Sequence, residues 1–161
     1  MASKRISLAN AQALVGKEVG LAEWREVSQT MIDQFADATD DHQFIHTDPT
    51  RAAAEGPYGG TIAHGFLTLS LLSAMTYEAV PALEGMVAGV NFGFDKVRFM
   101  SPVKTGQRIR ARFILDKLRE RPSGIVEINY AVTIELEGSI KPALTAYWLT
   151  LMMPDRTKDR A

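Results

Sequence analysis

All three histidines of this chain, His42, His46 and His64, fall within a span of 23 residues, and the chain contains no cysteine. Thiolate chemistry and disulfides are therefore excluded. Proton transfer falls to imidazoles and carboxylates, which are concentrated in Asp40-Asp41-His42-Gln43-Phe44-Ile45-His46-Thr47-Asp48-Pro49. Asp41 and His46 stand five residues apart, and across a turn a carboxylate and an imidazole at that spacing can both reach one water. Groups that take and return a proton typically contribute about 10²–10⁴-fold to a rate.

Each residue also has a plain structural reading. Asp41 alone fits a turn or Asx residue. His64 fits a hydrogen-bonded histidine at a helix start, and Ser73 a hydroxyl bonded to the preceding turn's carbonyl. His42 and His46 are four apart and would share a helix face suited to a metal. Pro49 and the polar surroundings favour a turn, no third ligand lies nearby, and no metal is expected.

The elements that must position these residues centre on Thr61–Val80. Between Glu55 and Glu78 there is no charged Asp, Glu, Lys or Arg side chain. Ile62, Phe66, Leu67, Leu69, Leu71, Leu72 and Met75 point all round a helical projection, the pattern of a buried helix. His64, three threonines and two serines dilute this stretch too far for a bilayer span.

Ahead of it, Leu8–Val15 predicts a short helical turn closed by Gly16, and Val19–Val27 a strand. Ser28 and Thr30 offer N-caps for a helix over 30–39, and Pro49 suits the first turn of another through Ala54. After Pro81, residues 86–100 predict a strand with a bulge or close backbone approach at Gly89 and Gly93. Arg108–Phe113 and Val126–Leu136 alternate polar and apolar residues. The Pro122-Ser123-Gly124 turn joins them as a hairpin. Ala143–Met153 is apolar on both faces and so central, and residues 153–161 predict a frayed tail.

The order is strand, helices, then a four-strand antiparallel meander. It predicts an α+β hot-dog fold, with an antiparallel sheet wrapped around a long buried central helix, as a single domain over 1–161. An uncovered sheet edge makes an edge-to-edge homodimer the expected assembly.

With 161 residues, 46% of them hydrophobic, the chain is long enough to bury a substantial core. A net charge of −1 with both signs scattered argues against nucleic-acid binding. The N-terminus has basic residues but no apolar run of the signal-peptide kind, so a cytoplasmic protein is expected.

The Phe35–Pro49 segment, with Gly59-Gly60-Thr61-Ile62-Ala63-His64-Gly65-Phe66-Leu67-Thr68 continuing to Ser73, resembles the MaoC-like, R-specific enoyl-CoA hydratases. Their motif runs approximately S/T-G-D-x-N-P-[LIV]-H, followed by an A-H-G helix start. The Gln43 and Phe44 variants, and Asn91–Val103, resemble the NodN-type branch. Asp40 departs from the motif glycine, which suggests αR or αL backbone there and places a second carboxylate beside Asp41.

The resemblance implies addition of water to trans-2-enoyl thioesters to give (3R)-hydroxyacyl thioesters, with acyl-CoA as substrate and no separate cofactor. Asp41 and His46 would carry the proton chemistry. The Gly65 N–H would meet the thioester oxygen, and Ser73 would position the pair. Lys96 and Arg98 are candidates for coenzyme A phosphates, with an Arg–Asp pair on the strand face as the alternative. Competing readings are a non-catalytic acyl-thioester-binding hot-dog protein and an acyl-CoA thioesterase. Thioesterases of this fold, like its carrier-protein dehydratases, generally carry an acidic residue on or beside the central helix, and here none precedes Glu78.

Overall fold

A computed structural model describes residues 5–156. The chain runs β1 (Arg5–Ile6), α1 (Leu8–Gln12), β2 (Glu18–Leu21), β3 (Arg25–Glu26), α2 (Gln29–Thr39), α3 (Phe44–Thr47) and α4 (Pro49–Glu55). It continues through α5 (Gly65–Ser70), α6 (Leu72–Ala79), β4 (Ala82–Leu83), β5 (Met86–Phe99), β6 (Arg108–Glu120), β7 (Val126–Leu136) and β8 (Leu144–Pro154).

The main sheet is antiparallel in the order β2-β6-β7-β8-β5, with β3 also paired to β6. Strand β7 alternates strictly, burying Val126, Ile128, Tyr130, Val132, Ile134 and Leu136. Its inner face packs with Phe113, Leu144 and Trp148 against Leu67, Leu72 and Met75 of the helical layer. This is the hot-dog arrangement. Leu72 and Met75 are almost fully enclosed, so truncating either to Ala costs about 2–5 kcal/mol. Among the described residues, no helix is long and apolar enough to cross a membrane.

The strand order corrects the four-strand meander. Only β6, β7 and β8 form one, and β5 pairs with β8 instead of β6. The β5–β6 connection does not turn back as a hairpin. It passes the segment entering α5, where Ala63 N–H donates to Val103 O at 2.7 Å and Thr105 N–H to Thr61 O at 3.0 Å. That crossing fixes the backbone just ahead of the helix.

The central helix is also not one uniform rod. It starts at Gly65 and is interrupted at Leu71 between α5 and α6, though Leu71 N–H still reaches Leu67 O and Met75 N–H reaches Leu71 O. Nor is it buried on every side, because Phe66 is 69% and Tyr77 73% exposed. The sheet encloses the stripe of Leu67, Thr68, Leu72 and Met75 and leaves the opposite side open.

Smaller differences have local causes. Residues 19–27 form two short strands, since β6 pairs Leu21 with Arg112 but Arg25 with Ile109, leaving one extra residue looped out between them. Gly93 adjoins a register shift in β5, whereas Gly89 pairs regularly and permits close approach, an added Cβ lying 3.3 Å from Met152 Sδ. Met153 and Pro154 belong to β8, and Asp155 N–H bonds Gly85 O, so the tail does not fray from 153. Residues 157–161 lie outside the described residues.

Candidate active site

Asp41 is placed by the end of α2. Ser28 caps the start of this helix, its Oγ accepting from Met31 N–H at 3.2 Å. At the other end Asp40 adopts φ 58° and ψ 25°, the left-handed C-cap conformation. Glycine takes that conformation without steric cost, and Asp is among the few other residues that tolerate it. The glycine of the resembled motif is thereby explained. The Asp40 carboxylate is fully exposed and lies 3.9 Å from His42, which is also 3.8 Å from Asp37.

The next stretch is not only a turn, because Phe44–Thr47 closes one helical turn and carries His46 inward. His42 lies outside that turn, so His42 and His46 do not share a helix face. His46 is 7% exposed. Its Nδ1 is 2.7 Å from Ile62 O. A carbonyl only accepts, so Nδ1 carries the proton and Nε2 keeps its lone pair. Burial is the largest influence on its basicity and holds it below the ordinary histidine range. The Ile62 bond opposes this, His64 lowers it further and Asp41 pulls it back up.

The backbone of His46 is fixed as well. Gln29 donates its side-chain amide to His46 O at 2.7 Å, while Gln29 Oε1 accepts from Thr61 Oγ1 at 2.6 Å and Thr105 Oγ1 at 3.0 Å. Three elements thus meet behind the histidine. This network escapes sequence reasoning because its members are 32 and 76 residues from Gln29. A glutamine in the first turn of a helix gives no signal of its own.

His64 completes the cluster. It precedes α5 as its N-cap, is 3% exposed, and stacks on His46 with ring centroids 3.8 Å apart and planes at 25°. Its Nε2 lies 2.9 Å from Asp41 O and 4.0 Å from Asp41 Oδ2. The Asp41 carboxylate and one ring nitrogen of each histidine all lie within 4.8 Å of one another. Such a trio is close enough to surround a cation. However, the His64 nitrogen facing Asp41 is the one that donates to a carbonyl, so it has no lone pair for a metal. The arrangement suits proton transfer: a neutral imidazole with a free Nε2 beside a carboxylate whose side chain is 56% exposed.

Gly65 follows directly at the first position of α5, where backbone N–H groups lack helical partners. A Cβ there would lie 2.9–3.2 Å from the ring of half-exposed Phe99, which would have to shift to admit it. Ser73 lies further along on α6, outside the cluster. Its hydroxyl makes no bond to the preceding turn, unlike Ser70 and Thr76, which bond Phe66 O and Leu72 O. Ser73 instead lines an apolar cavity of about 230 Å³ with Val90, Tyr130, Trp148 and Met152. Burial in that wall pushes the Tyr130 hydroxyl up to about 12.

Lys96 and Arg98 are not brought to the cluster. They border an open groove over Thr133, Thr145 and Tyr147, on the sheet face turned away from buried Trp148. Lys96 Nζ lies 5.5 Å from the Tyr147 ring centre, and Arg98 donates to Val97 O at 2.8 Å. Among the described residues Arg98 forms no ion pair, so the alternative Arg–Asp pair is also missing.

Comparison with known proteins agrees with this fold. The family model described as MaoC like domain matches residues 10–135. Nodulation protein N of Rhizobium leguminosarum bv. viciae is 54% identical over 150 residues, covering 93% of each chain. The 3-hydroxyacyl-thioester dehydratase Z of Mycobacterium tuberculosis is 44% identical over 140 residues, covering 87% of this chain and 91% of the relative. Among solved structures, a monoamine oxidase regulatory protein from Archaeoglobus fulgius superposes with a TM-score of 0.75 at 26% identity, covering 94% of this chain and 97% of that one.

Proposed function

This chain belongs to the MaoC-like dehydratase family, and we propose that it is a hydro-lyase that adds water to trans-2-enoyl thioesters to give (3R)-hydroxyacyl thioesters. The observation that carries this reading is the convergence of the Asp41 carboxylate with His46, whose Nδ1 is committed to Ile62 O and whose Nε2 is free. The mycobacterial relative's name, a dehydratase of 3-hydroxyacyl thioesters, supports the same reaction run in reverse.

In the hydration direction, a water held between Asp41 and His46 loses a proton to the pair as its oxygen bonds C3. The π electrons of the C2=C3 bond move into the thioester, giving an enolate. A proton returns from the pair to C2 on the same face, so one water is added across the double bond. The Gly65 N–H, at the start of α5, meets the developing charge on the thioester oxygen. The apolar cavity beside Ser73 receives the acyl chain, and coenzyme A is the carrier. A thioesterase reading loses support because Glu78, the first carboxylate of the central helix α5–α6, is ion-paired with Arg25.

We also propose a homodimer joined along β5. This strand is an edge of the main sheet, and Val87, Val90, Phe92 and Phe99 are exposed along it. An apolar open edge is an aggregation hazard unless it is paired. The reaction is tested by incubating the purified protein with crotonyl-CoA. Loss of the enone absorbance with formation of the (3R) product is expected, and no turnover of any enoyl thioester would overturn the reading.

A further inference from the structure

The hold on Asp41 is unusual. Its carboxylate accepts no hydrogen bond among the described residues, and its side chain is more exposed than buried. It follows a left-handed residue, and its own N–H still bonds Ala36 O at 3.2 Å at the end of α2, so its backbone is tied at the N–H while its side chain is not. The side-chain contact that anchors its backbone is the His64 Nε2–H bond to Asp41 O at 2.9 Å.

The other ring nitrogen of His64, Nδ1, is buried without a partner. An N–H buried with no acceptor costs the full desolvation of that group, so Nδ1 is unprotonated and the ring neutral. The proton on Nε2 is engaged with the carbonyl. His64 cannot give it up without releasing Asp41, and a second proton would leave a buried Nδ1–H with no acceptor.

His46 is held from the same place. Its Nδ1–H donates to Ile62 O, two residues before His64, and its ring lies on that of His64. The segment Ile62-Ala63-His64 is itself pinned by Ile62 N–H to Ile45 O at 3.0 Å and Ala63 N–H to Val103 O at 2.7 Å. One three-residue segment therefore holds both members of the pair and sets their separation.

Building on the hydro-lyase reading, we propose that His64 is a positioning residue: its Nε2–H fixes Asp41, and its ring is the surface on which His46 rests. It takes no part in proton transfer. Displacing a reacting group by about 1 Å can cost on the order of 10²-fold in rate.

The test compares His64→Phe with His64→Gln in the full-length protein, using steady-state hydration of crotonyl-CoA and thermal melts. Phenylalanine keeps a ring against His46 but loses the donor. Glutamine places an amide N–H where Nε2 was. The expected result is a kcat lower by about 10²-fold in His64→Phe, a KM within about twofold of wild type, and recovery of most of kcat in His64→Gln. A fully active His64→Phe would overturn the proposal, as would equal losses in both variants with melts unchanged. If either variant fails to fold, ¹⁵N spectra of histidine-labelled wild-type protein decide the matter. The proposal requires Nε2–H on neutral His64 and Nδ1–H on His46, and the opposite tautomer or a cationic His64 at neutral pH refutes it. A wild type without any turnover counts against the hydro-lyase reading itself, whereas an active wild type with an active His64→Phe counts against positioning alone.

Discussion

His46 and His64 lie ring on ring, 3.8 Å between centroids, and each bonds a different backbone carbonyl through a different nitrogen: His46 through Nδ1 to Ile62, His64 through Nε2 to Asp41. Each neutral ring keeps one lone pair, and that of His64, at Nδ1, is buried without a partner, which leaves Nε2 of His46 as the base.

A pH profile reads it directly. Burial holds His46 below its ordinary value of 6.5, so the folded protein keeps it neutral where an unfolded chain has begun to protonate. With the folded pKa depressed, stability from this group is complete above about 6.5 and is lost as pH falls through the lower folded value. The rate of hydration, expressed as kcat/KM, should stay level from neutrality to below pH 6.5 and decline only beyond that. An acid limb centred above the ordinary histidine pKa would contradict the assignment.

Replacing Asp40 by glycine should leave turnover unchanged and raise stability by up to about 1 kcal/mol, because the left-handed C-cap no longer carries a Cβ. Urea denaturation measures the gain. A large loss of rate would mean that the Asp40 carboxylate, which faces solvent and His42, takes part in the chemistry.

The cavity beside Ser73 makes a prediction about chain length. Gly89 is one of its lining residues, and a Cβ there meets only the flexible end of Met152. Gly89→Val should fill space without breaking β5. It should reduce kcat/KM for long enoyl thioesters by about tenfold or more, as 1–3 kcal/mol of overpacking allows, while sparing crotonyl-CoA. Equal loss on short and long substrates would place the acyl chain elsewhere.

Along β5, charge should separate the subunits. Phe92→Lys puts a cation in the exposed apolar edge. Sedimentation should show wild-type dimers at micromolar concentration and a shift toward monomer in the variant. A monomeric wild type would refute the edge-to-edge assembly.

Much of the site was legible in the chain because its signals are local. Asp41 and His46 share one turn, Gly65 opens a helix, and Asp40 betrays a left-handed position by standing where glycine is usual. Long-range relations were not legible. The Gln29 network joins residues far apart in sequence. His64 reads as an ordinary helix-start histidine until its partners are known. The strand order failed for a similar reason: β5 has the alternation of a strand, but its pairing with β8 depends on the crossing at Thr61 and Val103. The open side of the central helix, at Phe66 and Tyr77, could not be told from a buried one by apolar pattern alone.

The proton-transfer pair is read out by the hydration rate of crotonyl-CoA in Asp41→Asn and His46→Ala, with thermal melts alongside. Each variant should lose about 10²-fold or more in kcat, and Asp41→Asn should melt with the wild type, since its carboxylate has no hydrogen bond to lose. If both variants fold and turn over at the wild-type rate, Asp41 and His46 are not the groups that move the proton.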